Sequence, residues 1–212
     1  MKKLLLIFLL CNLSYAETLR VEAFLGTAEN LITPLTIQQA GQPTINTNAV
    51  YSTGSLFNEH SAPYYDLRIG LWNRPNTGYG TAFELEFLHD KLYLMNLPPN
   101  VQEFQITFGY SMLFNNLAFE LTKWLIFRGG LGIVIAHPIS IVNGLTYNGP
   151  EYIIAGPCYQ LGLQARQKII GGLYGSVETK LTGASAVVPV ANGSAVVPNI
   201  GIQFLGGLSF DF

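Results

Sequence analysis

Charged residues, cysteines and long apolar runs are all scarce in this chain. Only 11% of its 212 residues are charged, against about 25% in an average soluble protein, which indicates a membrane environment. No window offers the roughly 20 apolar residues that a spanning helix needs, since residues 124–136, the best candidate, contain Arg128 and several glycines. A chain that crosses a bilayer without helices must form a closed β-barrel, because only closure pairs every backbone polar group.

The start of the chain has the composition of a secretory signal peptide. Two lysines precede an apolar run, and small residues lead to a cleavage site predicted after Ala16. Cys11 would leave with residues 1–16, and lipidation there is disfavoured because Leu10 stands where lipoprotein signals need a small residue. Cys158 would remain as the one mature cysteine, which excludes an internal disulfide framework. Residues 17–212 are then expected to form one barrel domain.

Eight later segments alternate apolar residues with small or polar ones, as barrel strands do. They are residues 18–26, 64–72, 81–93, 101–114, 125–136, 158–166, 173–181 and 199–212. Their apolar positions are predicted to face lipid and their polar positions the interior. The sequence therefore predicts an all-β fold, an eight-stranded antiparallel up-and-down transmembrane β-barrel. The alternative is a secreted soluble barrel or sandwich, whose surface would need far more charge than this chain has.

The fourth segment and the end of the chain carry more specific expectations. In the fourth segment the residues expected to face lipid are Phe104, Ile106, Phe108, Tyr110 and Met112, set against Gln105, Thr107, Gly109 and Ser111. The chain ends on alternating aromatic residues and Phe212, an ending that resembles the closing strand of bacterial outer-membrane proteins, where it signals assembly. We therefore expect export through the periplasm of a Gram-negative bacterium to the outer membrane. The expected partners are the barrel assembly machinery and lipopolysaccharide, with no nucleic acid.

Charged residues at inward positions are predicted to neutralise one another. Arg20, Arg68, Glu84 and Glu86 are expected to form a plug of ion pairs, because buried charges are stable only when paired. An eight-stranded barrel is just wide enough to be filled by side chains, so the plug argues against a channel. Long links are expected outside the cell and short turns in the periplasm. In the last long link SAVVP occurs twice, at residues 185–189 and 194–198, and is expected to fold back on itself as a ribbon.

All three histidines are predicted to lie at the outer rim of the barrel. His89 and Asp90 end the third segment, His137 follows the fifth, and His60 closes the first long link. Histidine is the commonest metal ligand, so the metal-site candidates are His60, His89, His137 and Asp90, for a divalent cation. The alternative is that these are ordinary solvated rim residues, spread around the barrel.

Two neighbouring segments carry a matched set of residues. The set is Pro63, Tyr64, Tyr65, Arg68 and Trp72, then Phe87, His89, Lys91 and Tyr93. In composition and spacing it resembles the outer-membrane lipid A oxidase family. The resemblance implies oxygen-dependent oxidation of the proximal glucosamine of lipid A. The candidate catalytic residues, expected to lie beside bound lipid A, are His89, Lys91, Tyr93, Arg68 and Tyr64.

Other reaction classes have weaker signals in the sequence. No phosphate-binding loop or zinc-type cysteine spacing is present. A barrel-type lipid A deacylase would need a His-x-Ser pair with a carboxylate, and only His60 and Ser61 come near that pattern, with the wrong spacing. The sequence thus predicts a small outer-membrane barrel, and the family resemblance implies that it modifies lipid A. The alternative is a structural or surface-interaction barrel, adhesin-like and without catalytic activity.

Overall fold

The protein is built from antiparallel β-strands. The computed structural model describes residues 18–53, 64–73, 79–149 and 151–212. The predicted signal peptide with Cys11, and the residues Glu59, His60, Ser61 and Pro63, lie outside the described residues. The strands are β1 (Thr18–Asn30), β2 (Thr33–Gln39), β3 (Ile45–Ala49), β4 (Tyr51–Ser52), β5 (Tyr65–Asn73), β6 (Thr81–Leu94), β7 (Val101–Glu120), β8 (Leu125–Ala136), β9 (Ile139–Val142), β10 (Leu145–Asn148), β11 (Ile153–Ile170), β12 (Leu173–Val190) and β13 (Gly193–Asp211). In these ranges no helix has the length and apolar character needed to cross a membrane.

Eight of the strands close into a ring, as the alternation predicted. The ring runs β1, β5, β6, β7, β8, β11, β12, β13, and antiparallel pairing of β13 with β1 closes it, with Phe24 opposite Gly207. Among the ring strands β7 continues to Glu120, and a short turn leads to β8. The predicted fold class, an eight-stranded antiparallel barrel, is confirmed.

One end of the barrel carries all of the additional strands. The start of β1, the end of β13 and the short turns at residues 121–124 and 171–172 lie at the opposite, periplasmic end. At the outer end β2, β3, β4, β9 and β10 join the outer parts of β6, β7, β12 and β13 in an extension that we call the crown. In the crown the two SAVVP copies pair with each other, Val187 opposite Val196, which confirms the predicted ribbon.

The outward face of the wall is mainly apolar on all eight strands. On β1, for example, Leu19, Val21 and Leu25 are exposed while Arg20 and Glu22 are buried. Charged side chains with exposed surface lie near strand ends or in turns, as Glu29, Lys123 and Lys168 do. An apolar exterior over a charged interior is the arrangement of a membrane-spanning barrel.

The prediction for the outer part of β7 was wrong. Phe104, Ile106, Tyr110 and Met112 are buried in the interior, and of the five residues expected to face lipid only Phe108 is exposed. This part of β7 reaches the crown, where the outer face meets water and polar head groups, so the apolar residues turn inward as in a soluble barrel. The outward apolar residues of β7 lie nearer the periplasm, among them Leu117 and Phe119.

Candidate functional site

The two segments that carry the family resemblance are paired neighbours. On β5 and β6, Tyr65 lies opposite His89 and Arg68 lies opposite Glu86. Because alternate residues of a strand face opposite sides, the matched residues divide into two groups. The inward group is Tyr64, Arg68 and Trp72, and the outward group is Tyr65, Phe87, His89, Lys91 and Tyr93.

Arg68 is the centre of a buried ionic network. Its guanidinium donates to Glu86 at 2.8 Å, to Glu22 at 3.0 Å, to Glu178 at 3.0 Å and to Asp66 at 3.3 Å. The predicted pairing of Arg68 in the lumen is therefore confirmed. Arg68 is therefore an interior residue and not a rim residue, because its side chain is buried among carboxylates.

Other residues complete the network that the sequence analysis only partly identified. Arg128 donates to Glu84 at 2.9 Å and to Gln164 at 2.7 Å, and Lys180 bonds Asp66 and Glu86. Arg128, Glu178 and Lys180 occupy inward positions of the alternation, so the pattern contained the signal for them. The network joins three cations to five carboxylates.

Arg20 does not belong to the predicted plug. It lies nearer the periplasmic end, where its Nε donates to Asp211 at 2.7 Å and its guanidinium stacks over Trp72 at 3.9 Å. Arg166 donates to the same carboxylate of Asp211 at 3.1 Å. The apolar layer of Trp72, Ala82, Ala118 and Ile126 packs together beside this group. The interior is thus filled with side chains.

The five candidate catalytic residues are separated by the barrel wall. Tyr64 and Arg68 are buried on the inward face, whereas His89, Lys91 and Tyr93 follow the outward alternation of β6. Only the second group lies on the side where lipid is met. Of these three, Tyr93 is exposed, and His89 and Lys91 are covered.

His89 has two defined contacts on the outward face. Its ring stacks on Tyr65 with ring centroids 4.9 Å apart and planes at 14°. Its Nδ1 lies 3.1 Å from the hydroxyl of Ser111, the residue directly opposite on β7. Ser111 was not a candidate in the sequence analysis, because spacing along one chain gives no cross-strand pairs.

His137 lies in a separate aromatic cluster on the same rim. Its ring is 5.5 Å from Phe108 and 5.1 Å from Tyr152, and the Tyr152 hydroxyl donates to the carbonyl of Phe108 at 3.0 Å. Gly109 lies between this cluster and His89, since a Cβ built on it would be 3.4 Å from Tyr152 and 3.6 Å from His89. Along the rim the order is thus Tyr65, His89, Gly109, Tyr152, His137.

The proposed metal ligands do not converge in the described part of the chain. Asp90 is fully buried on the inward face, and its Oδ1 accepts from the amide of Lys91 at 2.7 Å, while His89 points outward. Among the described residues no group of three or more His, Cys, Asp or Glu is placed to hold a metal ion. A site that includes His60 stays a prediction, because His60 lies outside these residues.

Comparisons with known proteins find remote similarity to solved barrels alone. No protein-family model matches the chain, and no curated protein matches it either. Ail, the attachment invasion locus protein of Yersinia pestis, is 11% identical over 91% of this chain and 98% of its own, with a TM-score of 0.41. The outer membrane protease OmpT of Escherichia coli is 9% identical over 93% and 97%, with a TM-score of 0.48. Neisserial surface protein A is 9% identical over 92% and 96%, with a TM-score of 0.38.

Similarities at such low identities and TM-scores do not establish what kind of protein this chain is. Its structural class is therefore inferred from its own geometry. A closed ring of eight strands with an apolar outward face and a charged interior satisfies the requirements of a bilayer and of bacterial outer-membrane barrels. The chain is a small outer-membrane β-barrel. In this barrel the polar and aromatic groups at the outer end of β5, β6, β7, β8 and β11 form the candidate site, which we call the rim site. It consists of Tyr65, His89, Lys91, Phe108, Ser111, His137 and Tyr152.

Proposed function

We propose that this outer-membrane barrel binds lipid A at the rim site and takes part in its modification. One observation carries the proposal: the rim site begins where the apolar belt ends. On β6 the outward residues Phe83, Leu85 and Phe87 are followed by His89, and on β5 Leu67 is followed by Tyr65. The rim side chains therefore lie at the depth of the head groups of the outer leaflet.

The chemistry of the rim site suits a phosphorylated glycolipid. Aromatic residues are enriched at membrane interfaces because one part of the ring is apolar and another part is polar, and Phe108 and Tyr152 are 57% and 59% exposed there. Lys91 follows His89 in the same alternation and is 2% exposed, so its positive charge lies beneath the rim surface, where it attracts a phosphate as a point charge. The described rim thus offers apolar contact, hydrogen bonds and charge within a few residues.

The filled interior of the barrel argues against a ligand site inside it. The ionic network and the apolar core above it fill the barrel, so a ligand is met on the outer surface of the wall. Oxidation of the proximal glucosamine, which the family resemblance implies, remains a prediction for this site. The geometry supports it to the extent that His89, Lys91 and Tyr93 share one outward face.

Binding can be tested with native mass spectrometry of the purified barrel in detergent with added lipid A. We expect the wild type to retain lipid A, and Tyr65→Ala to retain less, since Tyr65 stacks on His89. Tyr159→Ala is the matched control, because Tyr159 is an exposed outward tyrosine on β11 away from the rim site. Equal retention by all three proteins would contradict the proposal.

A surface-interaction barrel is the second candidate, and the composition of the crown favours it. Residues 31–53, 92–102, 138–149 and 182–203 contain no Asp, Glu, Lys, Arg or His. Glu103 on β7, opposite Ile141 of β9, adds one charge beside these ranges. A partner of the crown would therefore meet a surface that carries very little charge.

The crown makes a polyanionic partner unfavourable. The structure of Ail has also been solved in complex with the heparin analogue sucrose octasulfate, which makes this sugar a useful probe. We expect no saturable binding of sucrose octasulfate to the present barrel at physiological ionic strength, as measured by isothermal titration calorimetry. Tight binding would show that the crown does not act as a neutral surface.

A further inference from the structure

Ser111 and His89 form a hydroxyl–imidazole pair on the outer wall of the barrel. They lie directly opposite each other on β7 and β6, and His89 Nδ1 is 3.1 Å from Ser111 Oγ. A serine within hydrogen-bond reach of a histidine is the arrangement that activates a hydroxyl as a nucleophile. We propose that this pair hydrolyses ester bonds of lipids in the outer leaflet, a reaction class that deepens, and rests on, the proposed action at lipid A.

A β-bulge interrupts the pairing of β6 with β7 next to Ser111. The pairing of β6 with β7 passes from Asp90–Tyr110 to Leu92–Ile106, so that Lys91 alone stands opposite residues 107–109. A bulge of this kind re-aims side chains and is frequent beside active sites. The register of β6 and β7 gives residues 107–109 no paired residue of their own, and this stretch of backbone is where we look for the donors that a developing oxyanion needs.

Gly109 brings the backbone of β7 close to the serine hydroxyl. A Cβ at this position would lie 2.9 Å from Ser111 Oγ and 3.6 Å from His89 Cε1. Since real Cβ atoms are not found so close, any side chain there would crowd the oxygen. The glycine therefore allows the β7 backbone to pack closely against both the hydroxyl and the imidazole.

The imidazole of the pair stacks on one neighbouring ring, and both side chains of the pair are buried. Tyr65 stacks on the imidazole and fixes its plane. His89 is 5% exposed and Ser111 is 2% exposed, so bulk water has little access to them. Asp90 cannot support the imidazole as the carboxylate of a triad does, because it faces the interior. In the described residues His89 Nε2 has no hydrogen-bond partner, so the unit is a dyad.

The reaction balances with water as the only co-reactant. Ser111 Oγ attacks the ester carbonyl carbon as its proton passes to His89 Nδ1. The bond from the carbonyl carbon to the alcohol oxygen then breaks, and the leaving alcohol takes that proton. Water hydrolyses the acyl-serine by the same route, which releases a carboxylic acid and restores the hydroxyl.

The test uses the full barrel in detergent micelles with p-nitrophenyl palmitate as the ester and a fluorophosphonate as a label for the nucleophile. We expect hydrolysis and covalent labelling with the wild type, and loss of both by about 10²–10⁴-fold in Ser111→Ala and His89→Gln. Ser176→Ala is the matched control: Ser176 is a buried strand serine whose hydroxyl contacts that of Ser209 at 3.5 Å. It should hydrolyse and label as the wild type does. Folding of each variant is checked by its heat-modifiable migration in gel electrophoresis.

The outcomes separate the dyad from lipid A binding. A folded wild type that retains lipid A but neither hydrolyses the ester nor reacts with the label would overturn the dyad and leave the proposed function standing. Hydrolysis that depends on Ser111, in a barrel that does not retain lipid A, would support the dyad and overturn the proposed function. Labelling at a residue other than Ser111 in the folded barrel would also overturn the dyad.

Discussion

Arg68 Nε donates to Glu86 Oε2 at 2.8 Å in the middle of the barrel, and both side chains are fully buried. The two residues are directly opposite each other on β5 and β6, so the strand register itself brings the charges together. Each of the two has further partners, and the network extends around the interior to β1, β8 and β12. In an eight-stranded barrel, whose interior is filled by side chains, such pairing is what allows the inward positions to be charged.

The first prediction concerns the stability of this network. Removing one partner of a buried ion pair typically costs about 3–5 kcal/mol, because it leaves the remaining charges buried without compensation. Arg68→Ala should therefore lower the free energy of unfolding by an amount in this range, measured by urea titration in detergent. Lys168→Ala, at an exposed position of β11 near the periplasmic turn, is the control and should unfold close to the wild-type midpoint. Identical midpoints for the two variants would contradict this account of the interior.

A second prediction concerns assembly. Phe212 is 70% exposed, and its ring is tilted by 56° against that of Phe210, with ring centroids 4.7 Å apart. Because most of its side chain is exposed, its loss should cost the folded barrel little. If the terminal aromatic residue is the assembly signal, Phe212→Ala should lower the amount of folded barrel in membranes more than Ile202→Ala does. Equal amounts of folded protein would show that the signal lies elsewhere.

A third prediction uses two glycines of the wall with opposite surroundings. A Cβ at Gly132 would lie 2.1 Å from the carbonyl oxygen of Leu113, whereas a Cβ at Gly206 would meet nothing within 4 Å. Gly132→Ala should destabilise the barrel by about 1–3 kcal/mol through forced backbone shifts. Gly206→Ala should unfold as the wild type does. Urea midpoints in the reverse order would show that β8 and β7 are not packed as described.

Much of the fold was predictable from the sequence because lipid imposes a strict alternation. On β1, β5, β6, β8, β11, β12 and β13 the apolar positions face outward as predicted. The rule failed on β7 because that strand crosses from lipid into the crown. There the outer face carries Glu103, Gln105 and Thr107, and Phe104 and Ile106 fill the interior. No pattern in the sequence shows at which residue of β7 the outer face passes from lipid into water.

The candidate site was predictable only in part, for a different reason. His89, Lys91 and Tyr93 share the outward face of β6, as alternation predicts, and Tyr65 faces the same side from β5. Ser111 joins them only through the register of β6 and β7, and that register depends on the bulge at residues 107–109. A bulge shifts every later pair along the strands, so spacing within the chain could not place Ser111 beside His89.

The most direct test of the central claim is mass spectrometry of lipid A from Gram-negative cells that express the barrel and otherwise lack such an activity. We expect a mass shift with the wild type under aeration: one added oxygen if the rim site oxidises lipid A, or the loss of an acyl chain if Ser111 attacks an ester. His89→Gln should abolish the shift while the barrel still folds, because both reactions are assigned to the face that His89 occupies. An unchanged lipid A spectrum with well-folded wild type would contradict the claim, and the protein would then be a structural or surface-interaction barrel.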